Sequence, residues 1–262
     1  MRIFFSTDGN LGLMEHGNAN TGGTWRIGHV AETGSTNADL LEAARSGAPD
    51  RTVLRADHQT AGRGRLDRRW EAPPATNLLV SMLFRPLVRP AHEHVLAVAL
   101  AARDTAGSEC GVALDLKWPN DLLVAGRKVA GILAQAGGAL PGGGVEHLVV
   151  GLGLNLGWAP PEATSLSAAG WTRALSPAAF CEAMLPRIDD RLALDPTDLH
   201  AEYVGSLATL GAAVRAELPD GSALEGTAVR VERDHRLVVV DDAGHEHQLE
   251  VADVVHLRPR GG

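Results

Sequence analysis

The sequence predicts an α+β chain in which a mixed β-sheet with packed helices is followed by a small β-barrel. Three observations carry that expectation. Strand-length apolar runs in the middle of the chain are separated only by the turn residues "PN" (119–120) and "AGR" (125–127), so they read as consecutive hairpins with antiparallel pairing. Helix-length segments with apolar faces stand on both sides of those runs. Beyond Leu210 the texture changes to short β-rich runs broken by "PDG", "RDH" and "DAG". At 262 residues and 45% hydrophobic, the chain can bury a full core and still supply a second, smaller unit.

Residues 1–23 are rich in Gly, Asn and Thr and show no periodicity, which predicts a loose lead. A large domain is expected over 24–208 and a small one over 209–262. "TWRIGHVAE" reads as a strand, and "STNADLLEAARSG" as a helix opened by Ser35 or Thr36 and closed by Gly47. "RTVLRADHQT" is a second strand, and "NLLVSMLF" is a continuous apolar strand bounded by Pro74 and Pro86. Ala91 to Glu109 has the composition of a helix packed on a sheet. "ALDLKW", "DLLV", "KVAGILAQAG" and, after a flexible "PGGG", "HLVVGLGLNL" supply four more strands. Helices are predicted at Pro177–Leu194, broken or kinked by Pro186, and at Asp198–Leu207. The barrel strands are expected in "AAVRAEL", "ALEGTAVRVE", "RLVVVDD" and "HEHQLEVADVVHL".

Composition excludes several classes. A formal charge of −8 argues against a generally basic nucleic-acid surface. Cys110 and Cys181 have no CxxC spacing and suit two buried structural thiols in a reducing compartment. The apolar opening is too brief for a secretory signal, and Val95–Ala102 is far shorter than a membrane span. A soluble, cytoplasmic protein is expected.

Against this acidic background, "TAGRGRLDRRW" concentrates Arg63, Arg65, Arg68 and Arg69 in one loop between two strands. A charge run is ordinarily a solvated face. Here Gly62 and Gly64 would let the backbone approach a ligand, guanidinium groups grip carboxylate and phosphate, and Trp70 offers a flat apolar wall. Such a loop suits the covering of a bulky anion. In "KWPNDLLVAGRKVAGIL", Lys117, Asn120 and Asp121 flank a hairpin, and Lys128 starts an apolar strand where its ammonium would want an anionic partner. "VVGLGLNLG" is not a dinucleotide fingerprint, because Gly157 falls one position late and "WAPPEAT" cannot open the required helix. A P-loop is likewise missing. His92, His94, His245 and His247 read as scattered solvent histidines, without the supporting ligands of a metal site.

Taken in order, "STN" (35–37), "HQTAGRGR" (58–65), "KWPND" (117–121), "GRKVAGIL" (126–133), "GLGLNL" (151–156) and "ATSL" (163–166) resemble the biotin–protein ligases, from about residue 25 to the end. The resemblance implies a catalytic domain similar to class II synthetases and a C-terminal SH3-like barrel. It implies the monofunctional type, since the lead is too short for a DNA-binding winged helix. The implied activity joins biotin to ATP, with Mg²⁺, as biotinyl-5′-adenylate, then passes the biotinyl group to a lysine of a biotin carboxyl carrier protein domain. No fixed metal site is implied. Ser35, Thr36, Asn37, Gln59, Arg63, Gly64, Arg65, Trp70, Lys128 and Gly131 match positions around biotin. Arg63, Arg65, Arg68, Lys117, Asn120, Lys128 and Asn155 match positions around ATP. Lys128 and Arg65 would stabilise charge on the phosphate, and Asp121 would orient or deprotonate the acceptor lysine. Asp67 and Gln135 depart from the family's usual Gly and Glu. A lipoate ligase is the nearest rival, but its paired-arginine, multi-glycine loop is missing. An RNA-binding module would leave Lys128 and the "KWPND" hairpin unexplained.

Overall fold

In a computed structural model, residues 4–5, 11–12, 25–65, 68–87, 89–139, 144–217, 222–250 and 256–259 are described. In the lead, β1 (Phe4–Phe5) pairs with β2 (Leu11–Gly12). The main sheet has seven strands, β3 (Arg26–Thr33), β4 (Thr52–Gln59), β5 (Leu78–Phe84), β6 (Asp115–Lys117), β7 (Asp121–Val124), β8 (Arg127–Ala139) and β9 (Val145–Leu154). Their order is β3-β4-β5-β9-β8-β7-β6. Only β3 and β4 are parallel, because α1 (Thr36–Arg45) lies between them in sequence and carries the chain back. The β6–β7 and β7–β8 hairpins close at the two predicted turns, the second with Ala125 and Gly126 at positive φ.

Period-two alternation gives the sheet two faces with different fates. Val53, Val80, Met82, Val150 and Leu152 face a large core built with α2 (Ala91–Thr105), α3 (Pro177–Ala193) and α4 (Pro196–Gly205). Leu54, Ala56, Leu83 and Val149 point the other way, against Leu40, Ala43 and Ala44 of α1. A helix of ten residues covers only part of that second face. Further along the same rows come Ser81 on β5, Gly151 and Gly153 on β9, and Gly131 on β8, directly opposite Gly153. This uncovered end of the sheet becomes the floor of the site.

Three expectations are corrected. Pro186 does not interrupt α3, which runs unbroken from Pro177 to Ala193. Its side chain is exposed, as is that of Glu182, whose carbonyl loses the helix bond, so water can serve the orphaned oxygen. His94 is no solvent histidine. It is 4% exposed, tilted against Phe84 at 4.8 Å, because position 94 shares a helix face with Ala97, Val98 and Ala101, and burial lowers its pKa. The second predicted helix segment ends its α-helical part at Thr105 and continues as a π-turn over Ala106–Cys110, closed by Gly111 at φ 72°. Both cysteines are buried, and burial pushes the Cys181 thiol up to about 12. The "PGGG" segment lies outside the described residues except for Gly144.

The C-terminal unit is an antiparallel sheet of β10 (Ala213–Glu217), β11 (Ala223–Val231), β12 (Leu237–Val240), β13 (Glu246–Leu249) and β14 (His256–Pro259), in the order β13-β12-β11-β10-β14. Among the described residues its edges, β13 and β14, are not paired to each other, so the sheet is open. It meets the main body near β6. There the Trp118 N–H donates to Thr209 Oγ1 at 3.0 Å, and the β11–β12 turn inserts His235 against Trp118 and Tyr203. No helix among the described residues is long and apolar enough to cross a membrane.

Candidate active site

On the uncovered end of the sheet lies a cavity of about 630 Å³. One end is polar and uncharged. Ser35 caps α1 without a side-chain bond, and the first helical N–H, that of Thr36, donates instead to Gln59 Oε1 of β4 at 2.8 Å. Thr36 Oγ1 lies 2.7 Å from Ser81 Oγ, and Ser81 in turn donates to Asn37 Oδ1. The Asn37 amide completes its bonding by donating to the Leu133 carbonyl at 3.1 Å and to Gln135 Oε1 at 2.9 Å. These bonds fix which way the Asn37 amide faces. Thr36 and Asn37 are 3% and 5% exposed, so this is a preorganised polar end rather than a wetted surface.

The other end is cationic. Lys128, whose side chain is 39% exposed, sits 2.6 Å from Asp121 Oδ1. Its Nζ also lies 5.8 Å from the centre of the Trp70 ring. Arg65 donates to Asn120 Oδ1 at 3.2 Å, and Asn120 is itself held by donating to the Ile132 carbonyl at 2.7 Å. Burial pulls the Arg65 guanidinium below its ordinary value; Asp121 opposes that change and Arg68 adds to it. The arginine loop folds back on itself through Gly64 N–H to the Arg68 carbonyl and Trp70 N–H to the Gly62 carbonyl. Gly62 is required there, since a Cβ would stand 2.4 Å from the Trp70 carbonyl oxygen. Asp67 lies outside the described residues.

Between the two ends the floor is bare backbone. A Cβ on Gly151 would come within 2.2 Å of Asn37 Oδ1, and one on Gly153 within 2.4 Å of the Trp70 ring. The Trp70 indole N–H is buried without a hydrogen-bond partner among the described residues. Asn155 follows the floor strand, accepting from Asn77 Nδ2 at 3.1 Å and donating to the Thr164 carbonyl.

Every residue singled out from the sequence lines this one cavity: Ser35, Thr36, Asn37, Gln59, Arg63, Gly64, Arg65, Arg68, Trp70, Lys117, Asn120, Asp121, Lys128, Gly131 and Asn155. The sequence reading missed Ser81, and it held Arg127, Gly151 and Gly153 only within motifs and Gln135 only as a departure from the family. Ser81 carried a signal, as the one polar residue between Leu78 and Phe84. Gly151 and Gly153, part of the "GLGLNL" resemblance and rejected as a dinucleotide fingerprint, leave room on the strand surface for Asn37 and Trp70. Arg127, which donates to the Pro161 and Ala163 carbonyls, gave no signal beyond its charge.

A half-open mixed sheet whose cleft joins a polar end to a cationic end fits the class of enzymes that hold a ligand neutral at one end and anionic at the other. The model of the Biotin/lipoate A/B protein ligase family matches residues 30–155. A Biotin--[acetyl-CoA-carboxylase] ligase of Mycobacterium tuberculosis is 39% identical over 253 residues, covering 90% of this chain and 91% of that protein. A protein of the same description from Paracoccus denitrificans is 40% identical over 169 residues, covering 60% of this chain and 69% of that protein. Among solved structures, the biotin protein ligase of Aquifex aeolicus in complex with biotin and ATP superposes with a TM-score of 0.74 at 24% identity, over 89% of this chain and 99% of that one. Within that class, the chain belongs to the biotin–protein ligase family.

Proposed function

We propose that the protein activates biotin with ATP and transfers it to a lysine of the biotin carboxyl carrier domain of an acetyl-CoA carboxylase. The observation that carries this reading is the single cavity with a neutral, amide-lined end and a cationic end joined by a glycine floor. Biotin fits it end to end. Its neutral head group would meet Thr36, Asn37 and Gln59, its apolar body would lie along Trp70, whose ring rests on Gly153, and its carboxylate would reach Lys128.

In the first step the biotin carboxylate oxygen attacks the α-phosphorus of ATP, forming a mixed anhydride as the bond to pyrophosphate breaks. An anion attacking an anion needs fixed positive charge where the new charge develops, and Lys128 and Arg65 supply it. Arg63, Arg68, Lys117, Asn120 and Asn155 would hold the nucleotide. In the second step a neutral lysine amine attacks the acyl carbon, AMP leaves with the former bonding electrons, and the amine proton is lost. Asp121, already paired with an ammonium group in this structure, suits the orienting of a second one. Among the described residues no group of three or more His, Cys, Asp or Glu could hold a metal. A set of amide and cationic side chains fits Mg²⁺ arriving on the ATP phosphates, its charge offsetting theirs, rather than a protein cage.

The chain divides into a catalytic domain over 24–208 and a C-terminal unit over 209–262, whose strand order supports an SH3-like barrel; a cytoplasmic site of action and a lack of nucleic-acid binding accord with the acidic composition. Biotin-dependent exchange between ATP and labelled pyrophosphate tests the reading. Exchange with biotin and none with lipoate is expected; exchange with lipoate alone would overturn it.

A further inference from the structure

Among the described residues the C-terminal unit reaches the loop that lines the site at two points: Thr209 Oγ1 accepts from the Trp118 N–H at 3.0 Å, and His235 enters from the β11–β12 turn. The turn between β11 and β12 closes through the Glu232 N–H to Arg236 carbonyl and His235 N–H to Glu232 carbonyl bonds, and it pushes His235 into the main body, where the residue is 4% exposed. There the imidazole is surrounded by rings from three elements. His92 of α2 stacks on it at 6.0 Å, Tyr203 of α4 lies tilted at 5.2 Å, and Trp118 lies at 6.1 Å. His235 Nε2 stands 3.3 Å from the Pro119 carbonyl oxygen, closer than the Tyr203 hydroxyl, which donates to the same oxygen at 3.4 Å. A carbonyl only accepts, so the nitrogen is the donor and the ring is the neutral Nε2–H form. Burial, which lowers the His235 pKa to about 4, keeps it neutral. In return the Trp118 indole N–H donates to the His235 carbonyl at 2.9 Å.

We propose that His235 is a positioning residue for the nucleotide end of the site: its ring N–H holds the Pro119 carbonyl and thereby sets the loop that carries Lys117, Asn120 and Asp121. Proline has no N–H, so at this residue the carbonyl is the main-chain group that can be held, beside the Trp118 N–H that Thr209 Oγ1 accepts. Asn120, next in sequence, is clamped from the opposite side by its own bonds to Ile132, through its carbonyl at 2.9 Å and its amide at 2.7 Å. The loop is thus gripped between the floor strand β8 and the C-terminal unit. The polar end does not share this support, since Thr36, Asn37 and Gln59 are held by α1, β4, β5 and β8.

The inference rests on the activity proposed above, and two substitutions separate it from simple packing. His235→Phe keeps a ring and removes the donor; His235→Gln removes the ring and keeps an N–H donor at similar reach. The KM for ATP in biotin-dependent pyrophosphate exchange, the Kd for biotin by calorimetry and the melting temperature are measured for both and for the parent. Loss of one buried hydrogen bond acting through the loop is expected to raise the KM for ATP about tenfold in His235→Phe, with the biotin Kd unchanged and His235→Gln within about twofold of the parent. The reverse pattern, with Phe tolerated and Gln impaired, would assign His235 to packing and overturn the proposal. So would parental values in both variants, or a biotin Kd that rises in step with the KM. If His235→Phe does not fold, the Gln variant decides alone, since an impaired but folded Gln variant contradicts a donor role. A parent that shows no exchange at all would refute the activity rather than the role of His235.

Discussion

Replacing Gly151 by Ala places a methyl group 2.2 Å from Asn37 Oδ1 and 2.9 Å from its Cγ. Ordinary contact would require the amide to retreat by about 1 Å or more. It cannot do so freely, because it accepts from Ser81 and donates to the Leu133 carbonyl and to Gln135. Moving it breaks or bends two or three hydrogen bonds, each with a net value of about 0.5–1.5 kcal/mol, for a total of about 2–3 kcal/mol. That loss falls on folding stability; if Asn37 contacts biotin, the displaced amide also forfeits its bond to the ligand, about 0.5–1.5 kcal/mol, and the Kd rises roughly 2- to 13-fold. Calorimetric titration of biotin measures it, with a thermal melt to show that the variant is folded. Gly47→Ala is the control. Gly47 has φ 90° and nothing within 4 Å, so the substitution should cost about 1–2 kcal/mol of stability and leave biotin affinity alone. A folded Gly151→Ala protein that binds biotin with the parental Kd would refute the assignment of Asn37 to the ligand.

Three further outcomes follow from the same geometry. Lys128→Ala should lower the rate of adenylate formation by about 10²–10³ while shifting stability little, because the half-exposed Lys128–Asp121 pair is worth about 0–1 kcal/mol and the ammonium acts mainly on the developing phosphate charge; single-turnover kinetics beside a melt checks both halves. Since Arg63, Arg65, Arg68 and Arg69 line the cavity, biotin plus ATP should protect this loop from trypsin, and equal cleavage with and without the ligands would contradict its role as a cover. The folded-state pKa of His235, about 4, lies below the ordinary 6.5 because burial disfavours the charged ring; the Pro119 carbonyl opposes this and His92, His200 and Arg65 add to it. The unfolded chain therefore binds the extra proton between those values. This contribution to stability is present above about pH 6.5 and is lost as pH falls toward 4, at up to about 1.4 kcal/mol per pH unit, a slope that His235→Gln should reduce in urea titrations at stepped pH.

Much of the site was legible because its signals are local. "STN" before an amphipathic run marks a helix start, and "KWPND" and "AGRK" mark turns that fix a register, so Lys117, Asp121 and Lys128 had to converge. What was not legible depends on which face of an element looks where. Position 94 could be seen to be helical but not to point into the core beside Phe84. Pro186 breaks helices in general; here its missing bond falls on the solvent side of α3. Gln135 and Asn37 are 98 residues apart, and only the pairing of β8 with β9 and the packing of α1 bring them into contact. The insertion of His235 beside Pro119, across 116 residues, left no local trace.

A crystal structure with a non-hydrolysable biotinyl-adenylate analogue tests the central claim most directly. The bicyclic head group is expected within hydrogen-bond reach of Asn37 and Gln59, the linkage over Gly151 and Gly153, and the phosphate-equivalent group beside Lys128 and Arg65. An analogue bound in the reverse sense, or in the second groove between Arg103 and Ser206, would contradict it.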